Sequence, residues 1–196
     1  MSDIAKLIDD VVRRDLARRL KSDGYRKSGR TFYRSAESCT AVVNVQASKH
    51  NHGNNGTFTV NLGVYFPDVA TITNALPFTG AFPKEYDCTV RQRLGVLKAG
   101  GDDYWWPVNV DSDIDAVAET VTGTWSQHGQ PWIERVSDLD AAHNELVSQN
   151  MFFVAAAISV LQGRRDEAAE LVRKAQSRQP MAARRIQQWA REHELV

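Results

Sequence analysis

Side chains able to do polar chemistry gather in three short stretches. Asn44 and Gln46 alternate in VVNVQASK, Thr59, Asn61 and Tyr65 alternate in TFTVNLGVYF, and Arg91 and Arg93 alternate in CTVRQRL. Each amide carries both donors and acceptors. Asn and Gln are depleted from strands, so such a row suits a partner's backbone or a polar ligand. Two guanidiniums two residues apart would add forks that match carboxylate or phosphate. Solvent is the plain alternative, because one face of a half-covered sheet is wet. The adjacent Trp105 and Trp106 point to opposite faces of any strand. One then belongs to the core and the other becomes a candidate binding anchor, unless both pack beneath helices.

Other chemistry is sparse. His50-x-His52 is the only close histidine pair, in an Asn- and Gly-rich loop with no Asp, Glu or Cys beside it, so solvated histidines are favoured over a metal site. His128, His143 and His193 are scattered, and no serine or cysteine sits in a nucleophile elbow. Asp102-Asp103 follows Gly100-Gly101 and reads as a turn. No phosphate-binding glycine pattern occurs. Cys39 and Cys88, the only cysteines, lack metal or redox spacing and read as buried thiols. Catalysis is disfavoured, and neither cofactor nor metal is expected. Lys+Arg 24 against Asp+Glu 24 disfavours general nucleic-acid binding. The charged N-terminus is no signal peptide, and the longest apolar run, 151–161, is too short for a bilayer, so a cytoplasmic protein with no membrane partner is expected.

These groups need a sheet to hold them. Phe58, Val60, Leu62, Val64 and Phe66 alternate with Thr57, Thr59, Asn61, Gly63 and Tyr65, while Ala41, Val43, Val45 and Ala47 alternate with polar neighbours. Period-two alternation predicts half-buried antiparallel strands. The stretch from Thr31 reads as a strand and a turn before them, residues 88–97 as a fourth strand and 104–110 as a last. Val90, Leu94 and Val96 would then face opposite to Arg91 and Arg93, placing both arginines with the amides if the fourth strand joins the same sheet. Residues 67–84 read as an irregular excursion, with a short strand or helical turn at 70–75.

A helix over residues 2–23 carries Ile4, Leu7, Ile8, Val11, Val12, Leu16 and Leu20 on one stripe. Ser2 or Asp3 caps it and Gly24 ends it; Arg13, Arg14, Arg18 and Arg19 read as its solvated side rather than an anion site. After Asp111 the pattern is helical. One of Asp111, Ser112 and Asp113 caps a helix running to Gly129, Pro131 starts a short turn, and Ser137 to Asp140 reads as a capping box. Residues 150–161 are apolar nearly all round, and Gly163 breaks them. Gly163, Ala168, Val172, Ala175 and Pro180 match half of a tetratricopeptide-type repeat, which predicts one helix hairpin near the C-terminus. The fold class is α+β. An N-terminal helix packs on a mainly antiparallel sheet of about five strands in residues 1–136, and a helical subdomain packed against it follows in residues 137–196.

Phe32-Tyr33-Arg34, Asn44-Val45-Gln46, Asn61-Leu62-Gly63-Val64, Arg91 with Arg93, and Trp105-Trp106 form an ordered series. Over residues 4–136 this series resembles the bacterial family called domain of unknown function 4304. The resemblance implies a bacterial, cytoplasmic protein and names no mechanism. The favoured expectation is a non-catalytic binding protein. It holds a partner protein, an acidic one where Arg91 and Arg93 set the charge, through Asn44, Gln46, Asn61, Tyr65, Arg91, Arg93 and the Trp105–Trp106 pair, as an immunity-type protein would. The alternative is a binder of, or enzyme acting on, a small anionic ligand clamped by Arg91 and Arg93. A third reading is a scaffold built on the helix hairpin.

Overall fold

A computed structural model describes residues 3–76, 78 and 80–196, so the anticipated Ser2 cap lies outside the described residues. Backbone contacts divide the chain into two compact units, Met1–Tyr65 with Thr79–Glu134, and Phe66–Phe78 with Arg135–Val196. The chain is α+β.

In the first unit, β1 (Arg26–Ser28), β2 (Thr31–Ser35), β3 (Thr40–Ala47), β4 (Asn55–Tyr65), β5 (Val90–Arg93) and β6 (Trp106–Asn109) form one six-stranded sheet. All of its pairings are antiparallel. The sheet is organised by β4. Along one edge β4 pairs with β3; along the other, β6 takes Asn55 to Phe58 and β5 takes Asn61 to Val64. Its alternate residues Phe58, Val60, Leu62 and Val64 are completely buried.

Over the apolar face run α1 (Asp3–Val11), a π-helical turn (Val12–Leu16) and α2 (Ala17–Ser22). Ile4, Ile8, Val11, Val12, Leu16 and Leu20 are all buried, each contributing about 1.5–3 kcal/mol. The approach is close at Gly56, where a Cβ would lie 2.4 Å from the Ile4 side chain. Trp106 stacks on its ladder partner Phe58 at 6.0 Å. Gly24, at φ +88°, closes α2 with its amide on the Lys21 carbonyl. Further on, α4 (Leu94–Lys98) follows β5. Asp113 then caps α5 (Ile114–Thr124) by accepting from the amides of Asp115 and Ala116, and α5 continues through a π-helical turn (Trp125–Gly129) into α6 (Gln130–Val136).

Several expectations need correction. The strand expected over 88–97 stops at Arg93, so Leu94 and Val96 belong to α4. The reason is geometric: β5 and β6 share one edge of β4, and β6 already holds the ladder up to Phe58. The last strand starts at Trp106, not Tyr104, and the sequence reading missed β1, a three-residue partner of β2.

In the second unit, Pro67 opens α3 (Pro67–Ile72), a helix rather than a strand. It packs on α8 (Phe152–Leu161), which also meets α7 (Leu139–Ser148) and α9 (Arg165–Arg178). Fully buried Ala155, Ala156 and Ala157 allow α8 this crowding. On α9, Ala168, Val172 and Ala175 form the buried face. After a 3-10 turn at Pro180, the last helix, α10 (Ala183–Glu192), brings Trp189, whose indole donates to the Ile72 carbonyl at 2.6 Å. The cap of α7 is Asp138, which accepts from the Ala141 amide, and not Ser137. Both residue types cap well, so spacing alone could not separate them. Among the described residues no helix is long and apolar enough to cross a membrane.

Candidate functional site

Residues paired directly across antiparallel strands share a face. The register therefore sets Thr31, Asn44, Asn61 and Arg93 in one row across four strands, with Val42, Gly63 and Arg91 in the next row on that face. Both arginines thus emerge beside the amides. Asn61 donates to Gln46 Oε1 at 2.8 Å and to Asn44 Oδ1 at 3.5 Å, and Asn44 donates in turn to Thr31 Oγ1 at 3.0 Å. The amides are bonded to one another along the sheet.

The face is not uniformly open. Asn61 is 4% exposed and Thr59 completely buried, whereas Gln46 is exposed. At one end the segment after residue 80 folds over it. Phe82 stacks on Tyr33 at 4.1 Å, and Cys88 lies so close to Gly63 that a Cβ there would meet its sulfur at 2.7 Å. Burial pushes the Cys88 thiol well above its ordinary value, with Glu85 and Asp87 adding to the rise and Arg91 opposing it. An inert thiol is the consequence. Tyr65 stands at this covered end, its phenol raised by burial and by Asp87 and Cys88, and it is not among the residues lining the cleft described next.

Between the covered end and α4 a cleft of ≈ 470 Å³ remains. It is lined by Gln46, Asn61, Glu85, Arg91, Gln92, Arg93, Val96 and Asp103. Each arginine meets a carboxylate: Arg91 lies 3.5 Å from Glu85, and Arg93 pairs with Asp103. The Trp105 indole also donates to Asp103 at 3.0 Å, and the Arg93 guanidinium lies 5.3 Å from the Trp105 ring centroid. Trp105 is therefore half-buried at the cleft, whereas Trp106 is core. The structure brings together Gln46, Asn61, Arg91, Arg93 and Trp105, with Asn44 just behind Asn61; Tyr65 and Trp106 stand apart. The sequence reading missed Glu85 and Asp103. Asp103 resembles an ordinary turn residue, and Glu85 sits in a stretch with no period.

A second polar cluster lies wholly within the helical unit. Ser159 Oγ is 3.0 Å from His143 Nε2 and donates to Glu167 Oε2 at 2.9 Å, and Arg164 meets the same carboxylate at 3.1 Å. The residue types are those of a hydrolytic triad, but the order is wrong. Ser159 and Glu167 both stand on the Nε2 side of His143, whereas a triad carboxylate binds the imidazole nitrogen turned away from the serine. Ser159 is also completely buried. This is a structural network joining three helices. His50 and His52 are exposed loop residues, and among the described residues no group of three or more His, Cys, Asp or Glu is placed to hold a metal ion.

The family model described as Domain of unknown function (DUF4304) matches residues 16–135, a stretch holding the whole sheet and every cleft residue. No match was found among curated proteins or among solved structures. With more than half of its length inside that match, the chain belongs to the DUF4304 family.

Proposed function

We propose that this is a non-catalytic binding protein whose polar cleft receives part of a partner protein. The observation that carries the reading is the pairing of Arg91 and Arg93 with Glu85 and Asp103 around buried Asn61. Small-molecule sites are mainly apolar, but this lining is dominated by charged and amide groups. Arg and Trp, by contrast, are the residue types that anchor protein interfaces. An acidic side chain entering between the arginines would exchange with Glu85 and Asp103 for the guanidiniums. It would meet the Gln46 amide at the cleft's open side. The proposal extends to a cytoplasmic setting, supported by two buried cysteines that are not joined to each other, and to a bacterial source, which rests on the family resemblance alone. An immunity-type protein that neutralises its partner is one form such a binder takes.

The test is the double variant Arg91→Glu with Arg93→Glu. Both side chains are partly exposed, so the fold should survive. Wild type and variant, each captured gently from the source organism, are compared by native mass spectrometry. A stoichiometric second polypeptide on wild type alone supports the site. Equal retention by both proteins overturns it. A small bound mass lost with the two arginines would favour the rival reading of an anionic-ligand site.

A further inference from the structure

A second concavity lies well away in sequence from that cleft, where α2 meets the β1–β2 hairpin. Its volume is ≈ 480 Å³, and its walls are mostly apolar: the Tyr25 and Phe32 rings, Ala17, and the side chains of Arg18 and Lys21. Both rings are held in place. Tyr25 meets Trp125 edge-on at 5.9 Å and carries the Arg34 guanidinium 4.9 Å from its centroid; Phe32 is 1% exposed.

The rim is cationic. Lys27 pairs with Phe32 in the hairpin and holds its ammonium 5.6 Å from that ring's centroid. Arg18 is compensated by Asp15 at 3.0 Å. Among the described residues, Lys21, Arg26 and Lys27 have no carboxylate at ion-pair distance. A cluster of uncompensated positive charge around a greasy cavity is notable in a chain whose net charge is +0. Long cationic side chains lay their methylenes on apolar surface and keep their heads wet, which gives this cavity an oily floor and a positive mouth.

We infer that this cavity binds a small amphipathic carboxylate, its apolar tail along Ala17 and the methylenes of Arg18, Lys21 and Lys27 that overlie the Tyr25 and Phe32 rings, and its charge at the Lys21 and Lys27 ammoniums. Size supports this, since cavities of roughly 300–1,000 Å³ hold small organic ligands. Charge selects the sign. A cationic amphiphile of equal length would meet like charge at the mouth, and a purely polar anion would waste the walls.

The probe is dodecanoate as monomer, titrated calorimetrically into the full chain, with dodecyltrimethylammonium as the matched cation. The expected result is saturable one-to-one binding of dodecanoate only. Lys21→Glu with Lys27→Glu should weaken it by about tenfold or more, while circular dichroism stays native. Ala17→Trp, which fills the cavity from α2, should abolish it with both lysines intact. Arg91→Glu with Arg93→Glu should leave it unchanged, which separates this site from the polar cleft. Absence of saturable binding, equal binding of the cation, or undiminished affinity in the lysine variant would overturn the inference. So would binding only to anionic phospholipid vesicles, since that marks a membrane surface and not a ligand cavity.

Discussion

Asn61 and Arg93 face each other across the ladder between β4 and β5 yet occupy different surroundings. Asn61 is 4% exposed, and the Arg93 side chain 41%. One residue is part of the sheet's internal wiring; the other opens to solvent. The candidate cleft is therefore built on a buried amide that does structural work.

That division predicts opposite outcomes for two neighbours on β4. Asn61→Ala removes the donor to Gln46 Oε1 and Asn44 Oδ1 and opens a small void, so it should cost about 1–3 kcal/mol in urea unfolding. Thr59 is completely buried, and its hydroxyl has no hydrogen-bond partner among the described residues. Thr59→Val keeps the shape and deletes an idle polar atom, so it should stabilise by about 1 kcal/mol. A destabilised Thr59→Val would show that the hydroxyl is bonded.

Much of this was legible, and the misses share a physical cause. Alternation in 41–47 and 57–66 marks β3 and β4, because a half-covered strand imprints period two on its sequence. It also placed Arg91 and Arg93 opposite Val90, and the register then set them beside the amides. Burial of Thr59 and Asn61 was not legible. It depends on how the rest of the chain closes over the amide face, which no alternation records; Phe82, which covers Tyr33 on that face, comes from a stretch with no period at all. The end of β5 at Arg93 was equally hidden, since it follows from β6 competing for the same edge of β4. His143, Ser159 and Glu167 stand on three different helices, and no spacing along the chain links them.

The turn behind the cleft depends on one close approach. A Cβ on Gly95 would lie 1.9 Å from the Tyr104 carbonyl oxygen, which is backbone and cannot swing aside. Gly95→Ala must therefore push apart α4 and the segment carrying Asp103 and Trp105. Its melting temperature should fall sharply, with the Trp105 fluorescence shifted. Gly123, in α5, has open space around it, and Gly123→Ala should stabilise by about 0.5–1 kcal/mol from helix propensity alone.

Alkaline pH should weaken the sheet unit in two steps. Burial raises Cys88 above its ordinary 9.0 and Tyr25 above 10.0, so in each case the folded state favours the neutral form. Above those ordinary values the unfolded chain has lost protons that the folded chain still holds, and stability falls as pH rises. The contribution is fully present below pH 9.0 and declines first through the thiol, then from 10.0 through the phenol. The urea midpoint measured from about pH 8 to about pH 10.5 should drop across this range. In Cys88→Ala the first part of the drop should disappear, and in Tyr25→Phe the second part should shrink.

The buried serine separates structure from catalysis. If Ser159 were a nucleophile, a fluorophosphonate probe would label the folded protein at that residue. With its oxygen completely buried and its proton committed to Glu167, no labelling should occur. Ser159→Ala should instead lower stability by about 1–3 kcal/mol, because buried His143 Nε2 loses a partner, while Glu167, partly exposed, keeps Arg164. The loss should appear in amide exchange of α7, α8 and α9 and spare β3 and β4. Labelling of Ser159 in the native state, or an unchanged exchange pattern in the alanine variant, would reverse the assignment of this cluster to structure.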